Sequence, residues 1–356
     1  MKKNDLSLRD YLCDKNPWSE NGNPIWLASS INLFRNLNKF NFPGKLTTES
    51  QKTISILVGD EILKSEVLKS PKLFKAEEME PIDKEFINER FLSAEGFYQA
   101  HAGEAFVLDE SGIFLATINI QDHIHLQFMS FTGNLQKSWN YLMRIETNLG
   151  KAMNFAFSQR FGFLTSDPSL SGTAMQVHVF LQLPALIHTE IIDGILEETV
   201  DETLSITGLH GNPTEVIGDI LAVKNNHTLG VTEDSILSSL EAFATKLMAR
   251  ESLARKEIKS SQNSEIKDRI SRAYAILIHS YQIEAIEALN ALSLVKLGID
   301  LGWVEGMTIQ EVNALFFTCR RAHFQCHFDQ PISQEELPHR RAEFIHKALK
   351  NIKLKI

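Results

Sequence analysis

The chain has 356 residues, 43% of them hydrophobic and 23% charged, the balance of a soluble globular protein long enough for two domains. Its formal net charge of -9 argues against a broad nucleic-acid or anionic-membrane surface, because phosphate groups recruit clustered Lys and Arg; a local basic pocket is still allowed. The start, "MKKNDLSLRDYLC", has two lysines with no apolar run behind them, and no window reaches the roughly 18 apolar residues of a membrane span, so no leader or membrane segment is expected and the cytoplasm is the default location.

The first hundred residues read as short helices and loops, and "TTESQ" offers a capping-box start at Thr48 and Gln51 ahead of "KTISILVGDEIL". Beyond residue 105 the pattern changes. "AFVLDESGIFLATINI" reads as two strands joined by a turn at "DESG". "NIQDHIHLQF" reads as the next strand, with His123, His125 and Gln127 on one face, Ile124, Leu126 and Phe128 on the other, and Asp122 just before. Alone, that stretch admits a metal patch of Asp122, His123 and His125, with His178 as a further ligand, but a histidine hydrogen-bonded within the sheet is the favoured reading of His123. "NLQKSWNYLMRIETNLGKAM" has helical spacing and is expected to cover one sheet face. In "AMQVHVFLQLPAL", Met175, Val177, Val179, Leu181 and Leu183 alternate with Gln176, His178, Phe180 and Gln182, which predicts a half-buried antiparallel sheet.

After the glycine-punctuated "ITGLHGNPTEVIGD", the stretch "EDSILSSLEAFATKLMARESLARKEI" predicts a long helix, and "RKEIKSSQNSEIKDR" reads as a linker or solvated helix end. Everything beyond is helical in pattern, with capping boxes expected at Thr308 with Glu311 and at Ser333 with Glu336. The expected organisation is an α+β domain over 1–260 and a helical domain over 261–356. Cys13, Cys319 and Cys326 lack zinc-type spacing, so buried reduced thiols are favoured over a helical metal cluster of Cys319, His323, Cys326 and His327. The pairs Arg320, Arg321 and Arg340, Arg341 are expected to be solvated or ion-paired.

Several of these blocks resemble the bacterial protein-arginine kinases of the ATP:guanido phosphotransferase (phosphagen kinase) family. "FGFLTSDPSLSGTAM" is similar to that family's "YGFLTxCPTNxGTGL", "GLHGNPTEVIGD" to its "GxxGExSEAxGN", "NIQDHIHLQF" to its "NEEDHxRxQ", and "LGIDLGWV" is almost unchanged. The resemblance runs from "NPWSENG" to "RRAEFIHKAL". It implies a guanido-kinase-like antiparallel sheet flanked by helices, followed by an all-helical C-terminal domain for dimerisation or phosphoarginine recognition.

The resemblance also assigns a site. It places the family's ATP positions at Ala28, Ser29, Ser30, Ile31 and Asn32, at Phe91 and His125, at Gln176, Val177, His178, Val179 and Phe180, and at Thr207, Gly208, Leu209, His210, Gly211 and Asn212. In the family an arginine cluster grips the nucleotide phosphates and two carboxylates align the guanidinium and accept its proton. Those groups suit the reaction, because a transferring phosphoryl group redistributes negative charge that positioned cations stabilise. Here the positions implied for arginine hold Ser30, Asn32, His125, Gln176 and Thr207. The positions implied for the catalytic Glu, Glu and Cys hold Gln121, Asn212 and Asp167. Ile120 likewise stands where the family has a carboxylate. The neighbouring Gly172, Thr173, Gly208, Gly211, Glu215 and Gly218 match, as do Arg35, Asn36, Asp122 and His123. In the tail the family's "RDxxRA" corresponds to "LPHRRA", so Leu337 and Pro338 replace the Arg and Asp of the phosphoarginine site while Arg341 and Ala342 persist.

Each charge-assisted bond to phosphate is worth roughly 1.5–3 kcal/mol, and an amide cannot accept a proton near neutral pH. The expectation is therefore a homologue that has lost ATP binding and phosphotransfer, binds no cofactor tightly and needs no metal. It would act as a binding, adaptor or regulatory protein in protein quality control. Its partners, by family analogy, would be a zinc-binding activator or Clp-type protease components, with homodimers and no nucleic acid or membrane. The alternative is an active protein-arginine kinase using Mg-ATP, compensated by Arg35, Arg90, His125 or Arg160. For Asp167, a turn or capping role is favoured over a nucleophile or base.

Overall fold

A computed structural model describes residues 7–93, 101–199, 202–212, 215–328 and 330–356. In chain order its elements are α1 (Leu8–Leu12), β1 (Trp26–Arg35), α2 (Thr48–Leu63), β2 (Lys72–Lys75), α3 (Pro81–Arg90), β3 (Ala105–Leu108), β4 (Phe114–Ile118), β5 (Ile124–Ser130), α4 (Leu135–Ala152), β6 (Phe157–Ser158), β7 (Gly162–Phe163) and β8 (Met175–Gln182). They continue with α5 (Pro184–His188), α6 (Ile192–Thr199), β9 (Leu204–Gly208), β10 (Ile220–Asn225), α7 (Glu233–Ser261), α8 (Ser264–His279), α9 (Ala285–Leu301), β11 (Val304–Glu305), α10 (Ile309–Thr318), α11 (Arg321–Gln325), α12 (Leu337–Ala348) and β12 (Lys353–Leu354). Eight strands hydrogen-bond in the order β2-β3-β4-β5-β1-β8-β10-β9. The β2–β3, β3–β4, β4–β5 and β5–β1 pairs are antiparallel. The class is α+β, with a helical C-terminal region.

By its contacts the chain forms two compact units. One comprises the residues through Pro17, Ser29–His178 and Lys224–Glu241; the other comprises Trp18–Ala28, Val179–Val223 and Ala242–Ile356.

In the first unit, the β3–β4 turn falls at the expected "DESG". The Gly112 N–H donates to the Asp109 carbonyl at 3.0 Å, with Gly112 at φ 66°. β5 begins later than the alternation suggests. Asn119 adopts φ 62° and its N–H donates to the His123 carbonyl at 3.2 Å, so residues 119–123 close a turn and the strand starts at Ile124. The helix after "TTESQ" is capped one residue earlier than expected: the Thr47 hydroxyl accepts the Ser50 N–H at 3.2 Å. α4 is capped by Asn134, whose Oδ1 accepts the Lys137 N–H at 2.8 Å, and it buries Leu135, Trp139, Leu142, Ile145 and Leu149 at helical spacing. Phe128 of β5 meets Tyr141 of α4 at 4.6 Å between ring centroids, so α4 covers a sheet face as expected. The half-buried expectation holds only in part. β8 alternates over its first half, whereas β1 is buried at every position, because a central strand has packing on both faces.

In the second unit, the "RKEIKSSQNSEIKDR" stretch is the end of α7 and the start of α8 rather than a linker. Gln262 takes a left-handed φ of 50° and the Asn263 Oδ1 accepts the Glu265 and Ile266 N–H groups, each at 3.1 Å. The Thr308 and Glu311 capping box forms as expected. Ser333 accepts the Glu336 N–H at 3.3 Å, in the turn ahead of α12. Glu251 of α7 accepts the N–H groups of Ala185 and Leu186 at 3.0 and 2.9 Å, capping α5, and pairs with Arg255 at 2.7 Å. Lys296 of α9 is fully enclosed and donates to the Gln182 Oε1 at 2.7 Å, and burial pulls its ammonium down to about 7. Cys319 is a buried free thiol, as expected; Cys326 is not a free thiol, so the reduced reading does not hold for it.

Candidate functional site

Strand register sets the first cluster. Asn32 of β1 lies opposite Gln127 of β5, and Phe34 opposite His125, so Ser30, Asn32, His125 and Gln127 share one sheet face. On that face the His125 Nε2 lies 2.9 Å from the Asn32 Oδ1. The Asn32 Nδ2 donates to the Gln176 carbonyl at 3.1 Å and to the Ser30 Oγ at 3.2 Å, and it lies 3.4 Å from the His178 Nδ1. Ser30 and His178 close the ring at 3.5 Å. Phe34 stacks on the His125 ring at 4.5 Å, and Gln127 donates to the Phe91 carbonyl at 3.0 Å. Five positions that the resemblance assigns to ATP binding, Ser30, Asn32, His125, Gln176 and His178, are therefore joined by hydrogen bonds, and Phe91 contributes a carbonyl beside them.

The electrostatics of this cluster follow from enclosure. Burial pulls the His125 imidazolium down to about 4 and His178 down to about 3, the latter helped by Lys224 and His125, so both rings are neutral near pH 7. A neutral imidazole offers phosphate one weak donor where arginine offers a charged fork. Ser29, Ile31 and Val177 are buried, and the Val177 N–H donates to the Asn225 side chain at 2.8 Å. Asn225 also donates to the Met175 carbonyl at 3.0 Å.

Asp122 and His123 do not join that cluster. The Asp122 Oδ1 accepts from the Asn36 amide and from the Ser166 N–H, the latter at 2.7 Å, while its Oδ2 has no partner among the described residues; burial raises its carboxyl above the ordinary range. The His123 Nδ1 accepts the Leu37 N–H at 2.9 Å and its Nε2 faces the Asn41 carbonyl at 2.8 Å, which makes Nε2 the protonated nitrogen. Both ring nitrogens are thus taken by backbone, but by Leu37 and Asn41 in the segment after β1 and not within the sheet as expected, and burial holds the ring below its usual pKa. Among the described residues no three His, Cys, Asp or Glu side chains gather to hold a metal ion. Gln121 is half-buried in the 119–123 turn. Asp167 is exposed, and its Oδ1 accepts the Ser169 N–H at 2.9 Å and hydroxyl at 2.8 Å: it caps the turn at Pro168–Leu170, the role favoured for it.

The retained Arg35 lies on the opposite face. Its Nε donates to the Glu146 Oε1 of α4 at 2.9 Å, its NH1 to the carbonyls of Phe34 and Thr173, and its guanidinium stacks 3.6 Å over Phe163. Arg90 donates to the carbonyls of Gly112, Lys15 and Leu12 at 2.8, 2.6 and 3.4 Å. Both are buried, and burial lowers Arg90 to about 9. Arg160 is exposed at the β6–β7 turn. Gly172 has φ 118°, and a Cβ there would collide with the Thr228 carbonyl, so this inherited glycine serves close backbone approach. Sequence reasoning missed Glu146, although it lies one residue beyond Ile145 on the apolar stripe of α4.

In the second unit, Ala28, Val179 and Phe180 are buried. Thr207 is half-buried in β9, and Gly208 to Asn212 form a turn in which the Gly208 N–H donates to the Asn212 carbonyl at 2.8 Å and the Gly211 N–H to the Gly208 carbonyl at 3.0 Å. Leu209 is buried there, while His210, Gly211 and Asn212 are exposed, Gly211 at φ 80°. In α12, the Arg341 Nε donates to the Cys319 carbonyl and its NH1 to the Ile283 carbonyl, each at 2.9 Å. Leu337 and Ala342 are buried, and the Pro338 carbonyl accepts the Ile283 N–H at 3.1 Å. Arg341 is 3% exposed, so it is not solvated, whereas Arg340 pairs with Glu343 at 3.0 Å. Arg320 is likewise buried.

The fold is that of the guanidino kinases. The duplicated taurocyamine kinase of Schistosoma mansoni, with bound transition state analog components, superposes with a TM-score of 0.56 at 24% identity, over 66% of this chain and 34% of that one. Lombricine kinase gives 0.56 at 18% identity, over 69% and 71%. Residues 47–254 match the family "ATP:guanido phosphotransferase, C-terminal catalytic domain", and residues 263–355 match "Protein-arginine kinase McsB C-terminal domain". The protein-arginine kinase of Chlamydia pneumoniae is 32% identical over 94% of each chain, and that of Halothermothrix orenii 30% identical over 96% of this chain and 98% of its own. The chain belongs to the ATP:guanido phosphotransferase family, among the protein-arginine kinases. No helix among the described residues is long and apolar enough to cross a membrane.

Proposed function

We propose that this chain is a protein-arginine-kinase homologue without useful ATP binding or phosphotransfer, which acts as a binding, adaptor or regulatory protein in protein quality control. One observation carries this reading: Ser30, Asn32, His125 and His178 satisfy one another's hydrogen bonds as neutral groups. Such a network does not fit a triphosphate, whose charge needs positioned cations. The residues standing for the proton acceptors, Gln121 and Asn212, are amides, and Asp167 caps a turn. The chain would then serve as scaffold, 1–260 as a degenerate catalytic domain and 261–356 as a helical, dimer-forming one. Partners would be a zinc-binding activator or Clp-type protease components, in the cytoplasm. Because Arg341 is committed to backbone carbonyls, phosphoarginine recognition by the tail is lost as well.

The second reading is an active kinase that phosphorylates arginine side chains in proteins with Mg-ATP, and the comparisons favour it, since the relatives matched over nearly their whole length are named protein-arginine kinases. Arg35 and Arg90 are committed elsewhere, which leaves Arg160 and also Lys224, whose charge reaches His178. Incubating the chain with Mg-ATP and an arginine-rich protein decides between them. Acid-labile phosphoarginine that disappears without ATP establishes the second reading, and its absence, with an active relative as positive control, supports the first.

A further inference from the structure

On the sheet face away from His125, the first unit holds a cavity of about 450 Å³ between the end of β5 and the first half of α4. That is within the range of small-molecule sites, roughly 300–1,000 Å³. Its walls include Phe128, Phe131 and Tyr141. Lys137 and Arg144 line it too, and with Tyr141 they stand at i, i+4 and i+7, one stripe of α4. Both cations are exposed, and neither has an ion-pair partner among the described residues. Burial holds the Tyr141 hydroxyl at about 12, with the Asp109 charge raising it further and the Arg144 charge lowering it. Tyr141 is itself fixed by donating to the Val67 carbonyl at 3.0 Å. Aromatic walls under two unpaired cations make a surface complementary to an apolar body with one negative head.

We propose that this cavity binds a small aryl-alkyl carboxylate, its ring against Phe128, Phe131 and Tyr141 and its carboxylate between Lys137 and Arg144. The site lies apart from the positions assigned to ATP, so it stands whether or not the chain is a kinase. Calorimetric titration of the full chain with 3-phenylpropionate, 3-phenylpropanol and acetate tests it. Saturable binding of 3-phenylpropionate is expected, at least tenfold weaker for the other two compounds, which lack the charge or the ring. The variant K137Q/R144Q changes only exposed side chains, so its thermal unfolding should match the parent while its affinity for 3-phenylpropionate falls at least tenfold. No saturable binding, equal affinity for the alcohol, or binding unchanged in the double variant would each overturn the proposal.

Discussion

The Nε2 of His125 lies 2.9 Å from the Oδ1 of Asn32, a bond between β5 and β1 at two positions where the family resemblance expects arginine. The family frame is kept around that bond, and its polar groups are turned toward each other.

Restoring charge at this point should restore affinity. N32R/H125R is expected to bind Mg-ATP at least tenfold more tightly than the parent, since each charge-assisted bond to phosphate contributes roughly 1.5–3 kcal/mol. The larger side chains should also lower stability by about 1–3 kcal/mol through overpacking. Calorimetry and urea unfolding read the two effects separately.

Acid should weaken the fold through the same residues. His125 and His178 have folded pKa values of about 4 and about 3, below the unfolded value near 6.5. Between those limits the unfolded chain holds more protons, so this stabilisation is complete above pH 6.5 and is lost as pH falls toward 4, at up to about 1.4 kcal/mol per pH unit for each ring. Buried Asp122 and Glu251, whose carboxyls are raised, give the opposite slope. The comparison with H125N/H178N therefore carries the test: urea unfolding from pH 7 to 5 should be flatter for the variant than for the parent.

Arg35 should behave as a structural residue. Its pair with Glu146 is buried, with side chains 3% and 16% exposed, so Arg35→Ala leaves a carboxylate unpaired and should cost about 3–5 kcal/mol. Arg35→Lys should recover only part of that loss, because an ammonium cannot also reach two carbonyls and stack on Phe163. Thermal unfolding of the two variants measures the difference.

Arg341 should likewise matter for stability and not for ligand. Arg341→Ala removes charged donors from the Cys319 and Ile283 carbonyls, and a loss of at least about 2 kcal/mol is expected in chemical denaturation. Free phosphoarginine should give no saturable signal with the parent chain.

The sheet and the helices were legible because their periods are strong: the β3–β4 hairpin, α4, the long α7 and the Thr308 cap all fall where pattern and turn chemistry place them. Boundaries were less so. Thr47 rather than Thr48 caps α2, and Asn119 ends the extended run before His123, since both depend on backbone angles that neighbouring identities leave open. The turn-capping role of Asp167 was foreseen from residue type, whereas His123 was expected on a strand and sits in the turn before it. The facing of Arg35 onto Glu146 and the carbonyl partners of Arg341 were not, because they depend on which elements pack together, and an arginine in a sequence looks the same bound to phosphate or to backbone.

Titration of Mg-ATP into the full chain by calorimetry tests the central claim most directly, because it asks whether the neutral network holds a triphosphate before any question of catalysis. No saturable heat up to millimolar nucleotide is predicted, with an active protein-arginine kinase binding under the same conditions. Saturable binding in the micromolar range would contradict the account.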